Sequence, residues 1–223
     1  HLLLPLFEPL GFNWQIAVAL VPGMAAREVV VSALGTVYAL SATADDTAQA
    51  LAPLGFVTIA APREQYSGSG RSLPVTSDGR ITRQTLQIGS QQWTAYAIGG
   101  TPAQSVLHAC LEILPQKPDL VVSGINPNAN VGHDVTYSGT VTAAMEGAIW
   151  GLPSLAFSLD TRDDGPTLYY YDTAAKIAAQ VVEKVQKNQL PPNVLLNVNV
   201  PNLPASLVEG IRVTRLGLRI YRD

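Results

Sequence analysis

The sequence is poor in charge and in cysteine. Only 14% of its 223 residues are charged, against the usual quarter. The formal net charge of −3 provides no basic surface for a phosphate backbone, which excludes a protein that binds nucleic-acid polymers. Cys110 is the single cysteine, so an internal disulfide framework is excluded and a reducing, cytoplasmic location is favoured. With 47% hydrophobic residues, the chain can bury a sizeable core, and a disordered protein is excluded.

The charges are also unevenly distributed. Residues 1–50 contain Arg27 as their one basic residue and four acidic residues, whereas residues 51–223 contain 13 of each sign. Residues 9–26 carry no charge, and this length is near the minimum of about 17 residues for a membrane-spanning helix. Pro and Gly interrupt that run. We therefore divide the chain into a charge-poor leader, residues 1–50, and a domain, residues 51–223. Because His1 is not an initiator Met, we interpret the sequence as a fragment.

From residue 55 onward, short apolar runs alternate with helical patterns, which is typical of βαβ units. This pattern predicts an α/β fold, a doubly wound, mostly parallel sheet with helices on both faces. Strands are predicted at residues 56–60, 81–88, 92–98, 119–123, 154–159, 194–200 and 211–216. Helices are predicted from Thr101 as N-cap to Leu114, from Thr140 as N-cap to Gly151, and over residues 173–187. In the leader, residues 29–31 fit a strand or a buried helix.

Ligands of doubly wound sheets bind outside the carboxyl ends of the strands. The first loop of interest, residues 66–72, follows the strand that ends near Pro62. It alternates Ser and Gly, and such a loop can converge backbone N–H groups on an anion. An ordinary flexible turn has the same composition.

The second loop of interest, residues 123–140, combines Asn, His and Asp with the start of a helix. A helix N-terminus offers free N–H groups and a positive dipole end, which suit a phosphate. Carboxamide oxygens suit hard cations such as Mg²⁺, Mn²⁺ or Ca²⁺. Asn and Gly could instead serve turn geometry. His133 and Asp134 are candidates for an acid/base or supporting role, and Glu146 is predicted to face solvent or to act in the site.

These residues carry a resemblance to the SurE survival-protein family of metal-dependent nucleotidases. It covers residues 51–223 and is most specific over residues 121–146. The resemblance implies a divalent metal held by an Asp-Asp pair, Ser67 and Asn126, and a nucleoside monophosphate or another phosphomonoester as substrate. It implies a homo-oligomer in intact relatives. The implied phosphate-binding residues are Ser67, Gly68, Ser69, Gly70, Asn130, Ser138, Gly139 and Thr140.

The chain also departs from that family. The family's first strand runs into Asn-Asp-Asp-Gly, which is absent here, and the sequence stops before the family's C-terminal extension. We therefore expect a fold without the normal first strand and without that extension. Asp45 and Asp46 are poor substitutes for the acidic pair, because only eight residues separate them from the next strand and a crossover needs at least about 10. The catalytic residues stay unassigned, and we expect weak or absent phosphatase activity.

The leader resembles a different family. Residues 9–16, 21–28 and 32–40 are similar to the gate region of bacterial ferrous-iron permeases, a membrane-embedded segment. This resemblance implies a hybrid chain, joined near residues 50–54, with any membrane contact made through residues 1–50. Two other hypotheses remain open: a fragment of an iron-transport membrane protein, and a non-catalytic module that binds phosphate or nucleotide.

Overall fold

The structure, a computed structural model, describes residues 28–32, 47–66, 68–161, 168–192 and 194–218. Within them, the strands are β1 Glu28–Ser32, β2 Phe56–Pro62, β3 Ile81–Ile88, β4 Gln91–Ile98, β5 Leu120–Asn126, β6 Ser154–Asp160 and β7 Leu195–Pro201. They form one sheet in the order β3-β4-β2-β1-β5-β6-β7. β3 is antiparallel to β4, and all other neighbours are parallel. The predicted α/β fold with a mostly parallel sheet is confirmed.

Helices cover both faces of this sheet. They are α1 Pro102–His108, which continues as the π-helical segment Ala109–Ile113, α2 Gly139–Ile149 and α3 Tyr171–Asn188. On one face, α3 packs on β5 and β6 in a cluster that includes Leu120, Phe157 and Val182. On the other face, α1 and α2 enclose Val121 of β5. Successive residues of β5 are therefore buried on opposite faces, as its apolar composition predicts.

A strand is nevertheless present where the family's normal first strand was expected to be missing. β1, from the charge-poor leader, lies at the centre of the sheet, with Val30 opposite Thr58 of β2 and Val121 of β5. The sequence left strand and buried helix open for these residues, because a short run of β-branched side chains fits both. On one side of β1 the sheet continues with β2, and on the other side it continues with β5, β6 and β7. The switch point of the sheet therefore lies between β1 and β5.

Two boundary predictions are also wrong. Ser138, rather than Thr140, is the N-cap of α2, because its side chain accepts a hydrogen bond from the Val141 N–H. Residues 211–216, predicted as a strand, form no strand and are mostly exposed. Their alternating pattern gives them strand propensity, but no neighbouring strand in the described part of the sheet pairs with them.

Among the described residues, we find no helix whose length and hydropathy would let it cross a membrane.

Candidate functional site

The Ser/Gly loop after β2 is fixed to both helices on its side of the sheet. The backbone N–H of Gly70 donates to the carbonyl of Tyr137 at 2.9 Å, directly before the α2 cap. The hydroxyl of Thr101, the N-cap of α1, donates to the carbonyl of Ser72 at 3.2 Å. Because these bonds hold both sides of the loop, an ordinary flexible turn does not describe it. Ser67 lies outside the described residues.

A partly buried ion pair adds a third anchor to this loop. Arg71 Nε donates to Glu146 Oε2 on α2 at 2.5 Å, and Trp150 Nε1 donates to the other carboxylate oxygen at 3.0 Å. The Glu146 side chain is 5% exposed and that of Arg71 49%. The hydrogen bond and the charge of Glu146 raise the pKa of Arg71 above its usual value. Of the two alternatives for Glu146, exposure to solvent is wrong, because the carboxylate lies beneath the loop.

Glycine is required at one position of the loop. Gly70 has φ +53°, and a Cβ there would lie 3.0 Å from the carbonyl oxygen of Thr136. Gly68 has a similar φ of +68°, but a Cβ there would have open space. The two glycines therefore share the left-handed conformation and differ in how closely the backbone of the second loop approaches them.

We expect Gly70→Ala to lower the free energy of unfolding more than Gly68→Ala. Both lose about 1 kcal/mol to the left-handed conformation, and Gly70→Ala also forces the two loops apart, for a total of about 2 kcal/mol. Urea denaturation of the two variants measures this difference. Equal losses would contradict the close approach of the two loops.

The second loop begins at the carboxyl end of β5. Asn126 Nδ2 donates to the Asn128 carbonyl at 2.5 Å. The Thr161 hydroxyl, just beyond β6, bonds the Pro127 carbonyl at 2.7 Å and Asn128 Oδ1 at 2.8 Å. These bonds hold the loop against the end of β6, at the switch point where a ligand is expected.

The loop ends in an organised helix start. Ser138 Oγ accepts from Val141 N at 3.1 Å, and the Ser138 carbonyl accepts from Thr142 N at 2.9 Å. The first four N–H groups of a helix have no partner within the helix. The Ser138 side chain satisfies the Val141 N–H and the Asp134 carbonyl satisfies the Ser138 N–H, which leaves the N–H groups of Gly139 and Thr140 available to a ligand.

Asn130 is held more firmly than its loop position suggests. It is 7% exposed, and its Nδ2 donates to Ser158 Oγ on β6 at 2.7 Å. Its backbone N–H and carbonyl both bond to asparagine side chains of β7. The donor of the Asn130 carboxamide is thus committed to the protein.

Gln104 caps the start of α1, at a position where the family resemblance implies an acidic residue. Gln104 Oε1 accepts from the Thr101 N–H at 2.9 Å and from Ser77 Oγ at 2.9 Å. With Thr101 Oγ1 accepting from Gln104 N, these bonds complete a capping box at the start of α1. A glutamine serves this role as well as an acidic residue does.

His133 and Asp134 belong to the 3₁₀ helix Gly132–Thr136 between the loop and α2. The Asp134 carbonyl accepts from the N–H groups of Tyr137 and Ser138, both at 3.0 Å. His133 is exposed and lines a groove of about 520 Å³ together with Thr136, Arg215 and neighbouring residues. The described contacts give His133 no hydrogen-bond partner for its ring that would mark it as a base.

The donor set among the described residues does not fit a divalent cation. Such a cation prefers charged oxygen ligands beside neutral ones. Within the described part of the chain, no three His, Cys, Asp or Glu side chains are grouped to hold a metal. Ser32, the last residue of β1, lies opposite Ser123, and no acidic residue follows it in sequence before Asp45. Asp45 and Asp46 lie outside the described residues.

Cys110 is not placed for nucleophilic chemistry. It is half-buried in the cluster formed by Val106, Val121 and Leu152, and burial raises the pKa of its thiol to about 11.

We expect alkylation of Cys110 by iodoacetamide at pH 8 to be about 100-fold slower in the folded chain than in urea, because the thiolate is the reactive form. Equal rates in the two conditions would contradict this burial.

Sequence reasoning missed several residues that build the site. These residues are Arg71, Ser158, Asn197 and Asn199. The alternation of asparagine with apolar residues along residues 195–200 was a usable signal, because two asparagines on one face of a buried strand need partners. No local sequence pattern predicts the Arg71–Glu146 ion pair, because 75 residues separate the two side chains.

Fold and site define an α/β protein in which two hydrogen-bonded loops and a helix start lie at the carboxyl ends of the central strands. A family model described as "Survival protein SurE" matches residues 37–223, and a second, described as "Nucleoside recognition", matches residues 1–66. Similar relatives are 5′-nucleotidases SurE of Coxiella burnetii (strain Dugway 5J108-111), 44% identical, and Legionella pneumophila (strain Paris), 45% identical. Both alignments cover 77% of this chain, and 62% and 64% of those relatives. The chain thus spans less than two thirds of their length.

A solved structure, the SurE protein from Aquifex aeolicus, superposes with a TM-score of 0.74 at 37% identity, covering 87% of this chain and 74% of that one. The chain belongs to the survival protein SurE family, a family of metal-dependent phosphomonoesterases. The match of its first 66 residues to another family model gives it a hybrid character.

Proposed function

We propose that this chain binds nucleoside monophosphates through their phosphate group but hydrolyses them weakly or not at all. The observation that carries the proposal is the combination of two joined phosphate loops with a first strand that no acidic pair follows. Gly70 N contacts the Tyr137 carbonyl, whereas Ala33 and Leu34 come after β1. The chain would thus retain the phosphate-binding loops of a nucleotidase and lack its charged metal ligands.

The phosphate group would lie between the Ser/Gly loop and the start of α2. The N–H groups of Gly139 and Thr140 point along the helix axis with the positive end of its dipole. Gly68, Ser69 and Ser67 would supply further donors, and Ser138 would hold the helix start. An array of N–H donors fixed in this way suits a phosphoryl group in its ground state and in its transition state.

A divalent ion, when bound, polarises the phosphoryl oxygens and orients water in enzymes of this class. Here Ser67 and Asn126 offer it neutral oxygens only, so we derive no step through the ion. The residues of this chain bind and orient the phosphate, and none of the described ones is placed to accept the proton of an attacking water.

The single cysteine and balanced charge of residues 51–223 support a cytoplasmic location, and self-association, which the family resemblance implies, is part of the proposal. We also propose that the two parental segments meet near residue 50. The two family matches overlap over residues 37–66, a range that includes this boundary.

Hydrolysis of p-nitrophenyl phosphate and nucleoside monophosphates, with Mn²⁺ or Mg²⁺, tests the proposal. We expect turnover near the background rate. Robust turnover that Asn126→Ala abolishes, and that changes at Asp45 and Asp46 leave intact, would show that the family's acidic pair is dispensable. Loss of such turnover in Asp45→Ala would instead identify a substitute carboxylate.

A further inference from the structure

Two asparagines of β7 hold one residue of the second loop. Asn199 Oδ1 accepts from the Asn130 backbone N–H at 2.7 Å, and Asn199 Nδ2 donates to the Asn130 carbonyl at 3.1 Å. Asn197 Nδ2 donates to the same carbonyl at 2.8 Å. The Asn199 carboxamide therefore pairs with both backbone groups of Asn130, as a neighbouring strand would.

The register of the sheet explains why these side chains converge. Asn199 lies opposite Ser158 of β6, and Asn197 lies opposite Ala156. Residues two apart on a strand, together with their register partners, share one face of the sheet. That face is the one on which α2 packs, since Ala156 contacts Val141 and Ala144. Ser158 also accepts from the Asn130 side chain, so three side chains from two strands hold a single loop residue.

Ser158, Asn197 and Asn199 form a clamp that fixes the middle of the second loop. The two ends of this loop are fixed by other contacts. The segment starts at Asn126, where β5 ends, and reaches the α2 cap at Ser138, next to the Gly70–Tyr137 hydrogen bond. Asn130 lies between these points. Without the clamp, the buried N–H and carbonyl of Asn130 would lose their partners, and the loop would gain freedom relative to the N–H groups of Gly139 and Thr140.

We infer that Asn199, assisted by Asn197, is a positioning residue for the phosphate of the ligand, acting through Asn130 on the second loop. This inference rests on the proposed function. The two asparagines are unequal. Asn199 makes two hydrogen bonds, whereas Asn197 makes one and its Oδ1 is buried without a partner in the described structure. The contribution of Asn199 is therefore the larger.

Asn202 provides a matched control. Its side chain also holds loop backbone through two hydrogen bonds, accepting from Tyr170 N at 2.8 Å and donating to the Leu168 carbonyl at 2.9 Å. It differs in its target, because it holds the approach to α3 on the other face of the sheet. Asn202→Ala removes the same chemistry without touching the second loop.

The test is isothermal titration of the full chain and its variants with inorganic phosphate and with AMP. We expect Asn199→Ala to bind both about 10-fold more weakly, Asn197→Ala to lose less, and Asn202→Ala to bind like the wild type. Asn199→Asp keeps the acceptor for the Asn130 N–H and replaces the donor by an acceptor. It serves as the second variant if Asn199→Ala does not fold, and we expect a similar loss.

Hydrogen exchange of peptides covering residues 127–138 provides the second measurement. We expect faster exchange there in Asn199→Ala than in Asn202→Ala. If the wild type binds and Asn199→Ala and Asn199→Asp bind equally well, the positioning role is wrong while the proposed function stands. If the wild type binds neither phosphate nor AMP, the proposed function fails, and this inference fails with it.

Discussion

Replacing Ala33 and Leu34 together by aspartate is expected to raise Mn²⁺-dependent phosphatase turnover about 100-fold or more, since charged ligands determine whether the ion is held at all. β1 lies between β2 and β5, and its last residue, Ser32, is in register with Ser123, three residues before Asn126. Ala33 and Leu34 come directly after this strand in sequence. Turnover of p-nitrophenyl phosphate, with and without EDTA, measures the gain.

The control for this experiment is the neutral pair Ala33→Asn with Leu34→Asn. It has nearly the same shape as the aspartate pair and supplies oxygen ligands without charge. We expect it to stay near the wild-type rate. If the asparagine pair gained as much as the aspartate pair, charge would not be the missing element. If neither gained while AMP still bound, β1 would not deliver these positions to the phosphate site.

Arg71→Ala is expected to destabilise the folded chain by about 2 kcal/mol, below the usual cost of breaking a buried pair because Arg71 itself is half exposed. The loss arises because the Glu146 carboxylate, 5% exposed, would keep Trp150 as its hydrogen-bond donor but lose its counter-charge. The variant should also bind AMP more weakly, since the Ser/Gly loop loses its ionic anchor to α2. Urea denaturation and titration with AMP measure the two effects.

A double-mutant cycle isolates the pair. Adding Glu146→Gln to Arg71→Ala removes the uncompensated charge and should recover part of the lost stability. Arg63→Ala is the matched control, because Arg63 pairs with Asp78 at 3.2 Å on the surface, and we expect little change from it. Equal losses from Arg63→Ala and Arg71→Ala would show that burial of Glu146 does not matter.

The part of the fold predicted from the sequence is the part whose elements are unbroken apolar runs or begin with a clear helix-start signal. β5 and β6 are such runs, and Thr101 with Pro102 marked the start of α1 correctly. Residues 29–31 were ambiguous because their position at the centre of the sheet depends on pairing with β2 and β5 rather than on local sequence. Residues 211–216 have strand propensity but no partner among the described strands.

The sequence predicted the two loops of the site but not the contacts that hold these loops in place. Sequence located residues 66–72 and 123–140 at strand ends, and the structure joins them through Gly70 and Tyr137. These contacts join residues that are far apart in the chain, such as Arg71 with Glu146 and Asn130 with Asn199. Their distance in sequence leaves no local pattern, so three-dimensional contacts are needed to identify them.

Calorimetric titration with AMP, followed by a turnover assay on the same sample, tests the central claim most directly. The claim is that phosphate recognition persists after loss of the charged metal ligands. We expect AMP to bind with similar affinity in EDTA and in Mn²⁺, and to be released unhydrolysed in both. Binding that requires Mn²⁺ and leads to rapid hydrolysis would contradict the claim.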